Sequence, residues 1–146
     1  MTVHDRIVPA PGPARGRAGR IALAVATGFM SFQAVYGAVL LVQGGEGLPD
    51  PPSILPGDGW WPGAVALLVV VGVPIAAACV LQVRRDPRAD TASIAAGLIL
   101  VGWIVVQVAL IGLTWFLQPL CFVIGLLIAL GAWWHDRVVS RVVVRR

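Results

Sequence analysis

The 146-residue chain predicts an all-α membrane protein: four transmembrane helices in an up-down bundle, with both termini in the cytoplasm. Three observations carry that prediction. Four stretches, Ile21–Val42, Trp60–Val83, Thr91–Leu113 and Trp115–Trp134, hold no Asp, Glu, Lys, Arg or His over 20 to 24 residues each. At about 1.5 Å of rise per residue each makes roughly 30–36 Å of helix, enough to cross a hydrocarbon core of about 30 Å. All eleven arginines fall before the first stretch, between the second and third, or after the fourth. Runs such as Ala66–Val71 and Val123–Leu130 do not alternate polar and apolar residues, so spanning strands are excluded and helices remain. A hydrophobic fraction of 58% is more than a soluble chain of this length can bury.

Residues 1–20 are rich in Pro, Gly, Ala and Arg without apolar periodicity, which reads as a disordered cytoplasmic tail. Span one then runs from 21 to 42. Its apolar run of 22 residues exceeds the roughly 7–15 of a signal peptide, so it reads as a retained span. The loop Gly44–Gly59 has five glycines and four prolines in sixteen residues and should be irregular. Its acids, Glu46, Asp50 and Asp58, are too scattered for a Ca²⁺ site, which takes six to eight oxygens. Span two, 60–83, contains Pro74, which cannot bond to the carbonyl of Val70, so a kink or local opening is expected there. Spans three (91–113) and four (115–134) break at Gly112-Leu113-Thr114 and form a tight hairpin. Pro119 falls in the first turn of span four, where a missing N–H costs little. Together 21–134 make the transmembrane domain, and 135–146 an Arg-rich cytoplasmic tail.

Orientation follows from the arginines. Arg6, Arg15, Arg17 and Arg20, then Arg84, Arg85 and Arg88, then Arg137, Arg141, Arg145 and Arg146 share one side, while the opposite loops carry only acids. The positive-inside rule places both ends in the cytoplasm of a bacterial inner membrane. The pI near 10.5 is therefore a topology signal, and no folded basic module for nucleic acid is present. Trp60, Trp61, Trp115 and Phe116 mark one interface and Trp133 and Trp134 the other. Arg137, Arg141 and Arg145 recur every four residues. They serve either as a charged stop-transfer tail or, on a continued helix, as a stripe for anionic headgroups.

No catalytic, cofactor or metal constellation stands out. Cys79 and Cys121 belong to opposite halves of the bilayer, differing in depth by on the order of 15–20 Å, beyond the Cα separation of about 7 Å that a disulfide allows. His4 and His135 lie outside the spans, so no membrane haem has its axial ligands. The spans carry no ionisable group of the kind a proton-coupled carrier keeps. What remains is a small polar set: Gln33, Tyr36, Trp103, Gln107 and Gln118. Gln33 and Tyr36 share a helix face, as do Trp103 and Gln107. Together these five can line a pocket in the outer half that hydrogen-bonds a small lipophilic molecule. The competing reading is interhelical hydrogen bonds, each worth about 0.6–2 kcal/mol. Gly72-x-x-x-Ala76, Ser93-x-x-x-Gly97 and Gly125-x-x-x-Ala129 are seams that let helices approach.

Two pattern matches add expectations. Placing Gln33 over Gln107 puts Gly28 on Gly102 and Phe29 on Trp103, as in a parallel repeat of hairpins. The stretch Gly102-Trp103-Ile104-Val105-Val106-Gln107-Val108-Ala109-Leu110-Ile111-Gly112, followed by Trp115-Phe116-Leu117-Gln118-Pro119, resembles small four-span membrane proteins of actinobacteria that are similar to the DoxX-like proteins. That resemblance covers about 85 residues of spans two to four. It implies a four-helix bundle with cytoplasmic termini, and an accessory subunit of a quinone-linked oxidoreductase as one role, although no residue here matches a redox site. Three functions follow: a non-enzymatic membrane subunit or scaffold packing on another membrane protein or lipid, expected first; a binder or carrier of a lipophilic molecule; and the accessory subunit.

Overall fold

A computed structural model of the chain describes residues 13–44, 50, 59–114 and 116–143, with side chains over 17–44, 50, 59–114 and 116–137. All regular structure among the described residues is helical: α1 (Pro13–Val42), α2 (Trp61–Ala66), a π-helical segment (Leu67–Gly72), α3 (Val73–Arg84), α4 (Ala89–Ile111) and α5 (Leu117–Val143). Four of the resulting rods are long and apolar enough to cross a membrane: Arg17–Val42, Trp61–Arg84, Ala89–Ile111 and Leu117–Arg137. Their outer faces are apolar, with Val25, Phe32, Val83, Leu98 and Leu127 all more than half exposed. Water would penalise such a surface, whereas acyl chains solvate it, so this is a multi-pass membrane protein.

The ends of the rods depart from the expected boundaries. α1 starts at Pro13, so residues 13–20, expected as disordered tail, are helical. Proline suits a first helical turn, and Ala and Arg then propagate a helix already nucleated by the span. Gly19 also packs on α5, where an added Cβ would sit 3.1 Å from the His135 ring. Residues 1–12 lie outside the described set. α4 begins at Ala89 and ends at Ile111, two residues earlier than expected at each end, which brings Asp90 into its first turn. Gly112 ends it with φ 74°, a conformation that favours glycine. α5 continues through the expected tail to Val143, while Trp115 and Arg145 lie outside the described residues.

α1 packs along the second span and against α5, the second span packs on α4, and α4 packs on α5. The four rods thus close a ring in which α1 and α4 stand across from each other. The core is built from Met30 of α1, Val71, Ile75 and Ala78 of the second span, Ala96, Leu100 and Ile104 of α4, and Ile128 of α5. The α4–α5 contact is the closest. Gly97 faces Gly125 and Ala129, so two of the expected small-residue seams meet each other.

Pro74 acts as expected. It sits in the first turn of α3, and the six residues before that helix, Leu67–Gly72, form π turns, with the Val73 N–H bonded to the carbonyl of Leu68. Removing one N–H from the ladder leaves room for this wider register, which bulges the backbone locally. Val71 of this segment faces the bundle interior and is buried.

Candidate functional site

On the side of the 43–60 loop, away from the chain termini, the ring of helices opens into a cavity of about 730 Å³. Ligand cavities commonly span about 300–1,000 Å³. Its walls come from the second half of α1, from α2 and the π segment, from the last three turns of α4, and from the start of α5. The π bulge contributes Leu67 and Val71, so the proline-induced opening belongs to this cavity wall. Met30, Val71 and Leu100 form an apolar floor.

All five residues singled out in the sequence line this one cavity: Gln33 and Tyr36 from α1, Trp103 and Gln107 from α4, Gln118 from α5. Their hydrogen bonding divides them. Gln118 is 7% exposed, and its amide closes the α4–α5 turn. Its Oε1 accepts from the Thr114 N–H at 3.0 Å and its Nε2 donates to the Gly112 carbonyl at 3.1 Å. It is a structural clamp on the hairpin. Tyr36 is half exposed, with its ring stacked on Phe32 one turn earlier, centroids 6.5 Å apart. Gln33 and Gln107 make no hydrogen bond to another described residue, although they belong to helices that face each other across the bundle. The Trp103 indole Nε1–H is buried with no acceptor among the described residues. Three polar groups at the cavity wall, the Gln33 and Gln107 amides and the Tyr36 hydroxyl, therefore have no hydrogen-bond partner among the described residues, while the Trp103 Nε1 is itself closed off from the cavity.

The same positions bear on the repeat. Both glutamines face one cavity, but the rest of the motif is not equivalent. Gly28 packs beside the Cys79 sulfur at 3.5 Å from an added Cβ, whereas an added Cβ at Gly102 meets nothing within 4 Å. Phe29 is 53% exposed, whereas Trp103 is partly buried in the core.

A second polar cluster closes the opposite end, and sequence reasoning missed it. Gln82 of α3 is 1% exposed and donates through Nε2 to Asp90 Oδ1 at 3.1 Å and to Ser93 Oγ at 3.0 Å. His135 Nδ1 lies 2.7 Å from Asp90 Oδ2. Helices α3, α4 and α5 are thus tied by one carboxylate. The signal was present: Gln82, Asp90 and His135 each lie at the arginine-rich end of a span. Charge-free windows cut Asp90 and His135 out of their helices. Cys79 and Cys121 are both free thiols. Among the described residues no group of three or more His, Cys, Asp or Glu side chains gathers where it could hold a metal.

No protein-family model, curated protein or solved structure matches the chain.

Proposed function

We propose that this membrane protein binds a small lipophilic molecule in the cavity between its four spans. The observation that carries the reading is the pair of unpaired amides, Gln33 and Gln107, on opposite walls of a 730 Å³ space. A scaffold that used these glutamines as glue would bond them across closely packed helices, which would release about 0.6–2 kcal/mol per bond. Here the packing is tight at the Gly97–Gly125 seam and open where the glutamines are. Amides left without protein partners in an apolar site cost stability, and a ligand that hydrogen-bonds them recovers it.

The proposal has two tests. Native mass spectrometry of the protein purified in gentle detergent should show a bound small molecule in wild type that Gln107→Leu loses. The same substitution, and Gln33→Leu, should raise the thermal stability of ligand-free protein, by about 1 kcal/mol each, because an unpaired amide is replaced by a similar-sized apolar group. A drop in stability for both would mark them as packing glue and return the scaffold reading to first place.

The reading includes both termini in the cytoplasm of a bacterial inner membrane, supported by the segregation of the arginines. Alkaline phosphatase inserted after Asp50 should be active and a C-terminal fluorescent fusion should be bright; the reverse pattern would invert the protein. It also includes contact with anionic headgroups at the end of α5. The Arg137 guanidinium lies 4.0 Å from the centroid of the Trp133 ring, a cation–π pair suited to an interface, and α5 carries Arg141 one turn further along.

A further inference from the structure

We infer that the occupant is a neutral lipid with a hydroxyl-bearing head, held head-inward between Gln33 and Gln107 with its chain leaving through the cavity mouth. This deepens the cavity reading and rests on it. Among the described residues no Arg, Lys, His, Asp or Glu contributes to the cavity wall. A phosphate or carboxylate head would lose its hydration with no counter-charge to replace it, a cost that membrane interiors do not tolerate without a partner.

A glutamine amide presents two donor hydrogens and an accepting oxygen, and the Tyr36 hydroxyl both donates and accepts. A pure hydrocarbon satisfies none of these. A carbonyl-only head satisfies the donors and leaves the Gln33 and Gln107 oxygens unpaired. A hydroxyl both donates and accepts, so hydroxyl groups match the whole set.

Gln33 lies nine residues from the end of α1 and Tyr36 six, and Gln107 four residues from the end of α4. At about 1.5 Å per residue Gln33 sits roughly 13 Å in, Tyr36 about 9 Å and Gln107 about 6 Å. The unused polar groups therefore form a track from near the mouth to just above the apolar floor of Met30, Val71 and Leu100. Beside Gln43 and Thr114 the rim has open apolar side chains: Val106 is 50% exposed, Leu110 48% and Phe116 76%. A head seated on the track places an acyl chain against that rim, next to the bilayer's own chains. The two amides already satisfied or displaced from the track, Gln118 at the hairpin turn and Gln43 beyond the end of α1, are left out of the head site.

The test uses three single-chain probes that have the same mid-chain cis double bond and differ in head: monooleoylglycerol, oleoyl lysophosphatidate and cis-9-octadecene. Each is added at equal concentration to delipidated full-length protein in detergent, and adducts are counted by native mass spectrometry. Wild type should favour monooleoylglycerol by about tenfold over either other probe, as one or two hydrogen bonds imply. The double variant Gln33→Leu/Gln107→Leu should abolish that preference while keeping an ordinary thermal transition; if it does not fold, Gln107→Leu alone carries the comparison. Leu40→Trp, which fills the mouth, should remove all adducts. Equal binding of lysophosphatidate, or octadecene binding as well as monooleoylglycerol, with loss in Leu40→Trp, would overturn the neutral-hydroxyl assignment and leave the cavity reading intact. Adducts that survive Leu40→Trp, or none with any probe, would overturn the cavity reading itself.

Discussion

Gly97→Ala is expected to destabilise the bundle by about 1–3 kcal/mol, and Gly97→Leu to prevent its assembly. A Cβ at position 97 would lie 2.6 Å from the Gly125 carbonyl oxygen, 2.9 Å from the Ala129 nitrogen and 3.1 Å from the Ala129 Cβ. The first two are backbone atoms of α5, so no side chain can rotate away. The helices must separate instead. Separation would undo contacts along both rods, including Gly125, whose own added Cβ would meet the Gly97 carbonyl at 3.1 Å. Such mutual glycine contacts bring Cα–H groups against carbonyls of the facing helix, a weak attraction lost on separation. Gly102 is the control on the same helix. It is exposed with nothing within 4 Å, so Gly102→Ala should be neutral or stabilising by up to about 1 kcal/mol through helix propensity alone. Unfolding by denaturing detergent titration compares the two. Equal effects at 97 and 102 would disprove the close α4–α5 seam.

Asp90→Ala is expected to cost about 3–6 kcal/mol, on the basis of two hydrogen bonds at roughly 1.5–3 kcal/mol for each bond to a charged group. Its two oxygens serve different helices: Oδ1 accepts from Gln82 of α3 at 3.1 Å and Oδ2 meets His135 of α5 at 2.7 Å. The side chains of His135 and Asp90 are only 10% and 17% exposed, so solvent screening takes little of this away. After the substitution Gln82 keeps only its bond to Ser93, in a position that is 1% exposed, and its Oε1 is already without a donor. Asp90→Asn keeps the shape and one acceptor and should lose about half as much. A double-mutant cycle with His135→Ala measures the coupling directly, expected at about 1–3 kcal/mol. A coupling near zero would mean that the 2.7 Å contact contributes nothing to holding α4 and α5.

Different parts of the molecule were legible to different degrees. The spans were legible because each must exclude charge over its whole hydrocarbon length, and a run of about twenty or more uncharged residues is visible without any contact information. The hairpin turn was legible because Gly112 is the residue that tolerates φ 74°. The distortion before Pro74 was legible because a missing N–H has the same consequence in any helix. The five cavity residues were legible as a set, since polar side chains are scarce in spans and share faces at helical spacing. Their division was not. Gln118 binds a backbone turn while Gln33 and Gln107 bind nothing among the described residues, and both outcomes are open to the same amide.

Four crossings of a membrane, the places where the chain turns and the arginine-bearing end of each span can be read from residue order alone. These are properties of single segments in a bilayer, set by transfer free energies that each residue contributes locally. The packed bundle adds that α1 and α4 face each other across a cavity, that Gly97 rather than Gly72 makes the closest seam, and that Gln82, Asp90 and His135 meet. Those outcomes depend on the rotation and register of one helix against the next. Inside a bilayer no hydrophobic gradient separates the faces of an apolar helix, so shape and hydrogen bonding between segments, not the pattern within any one, choose them.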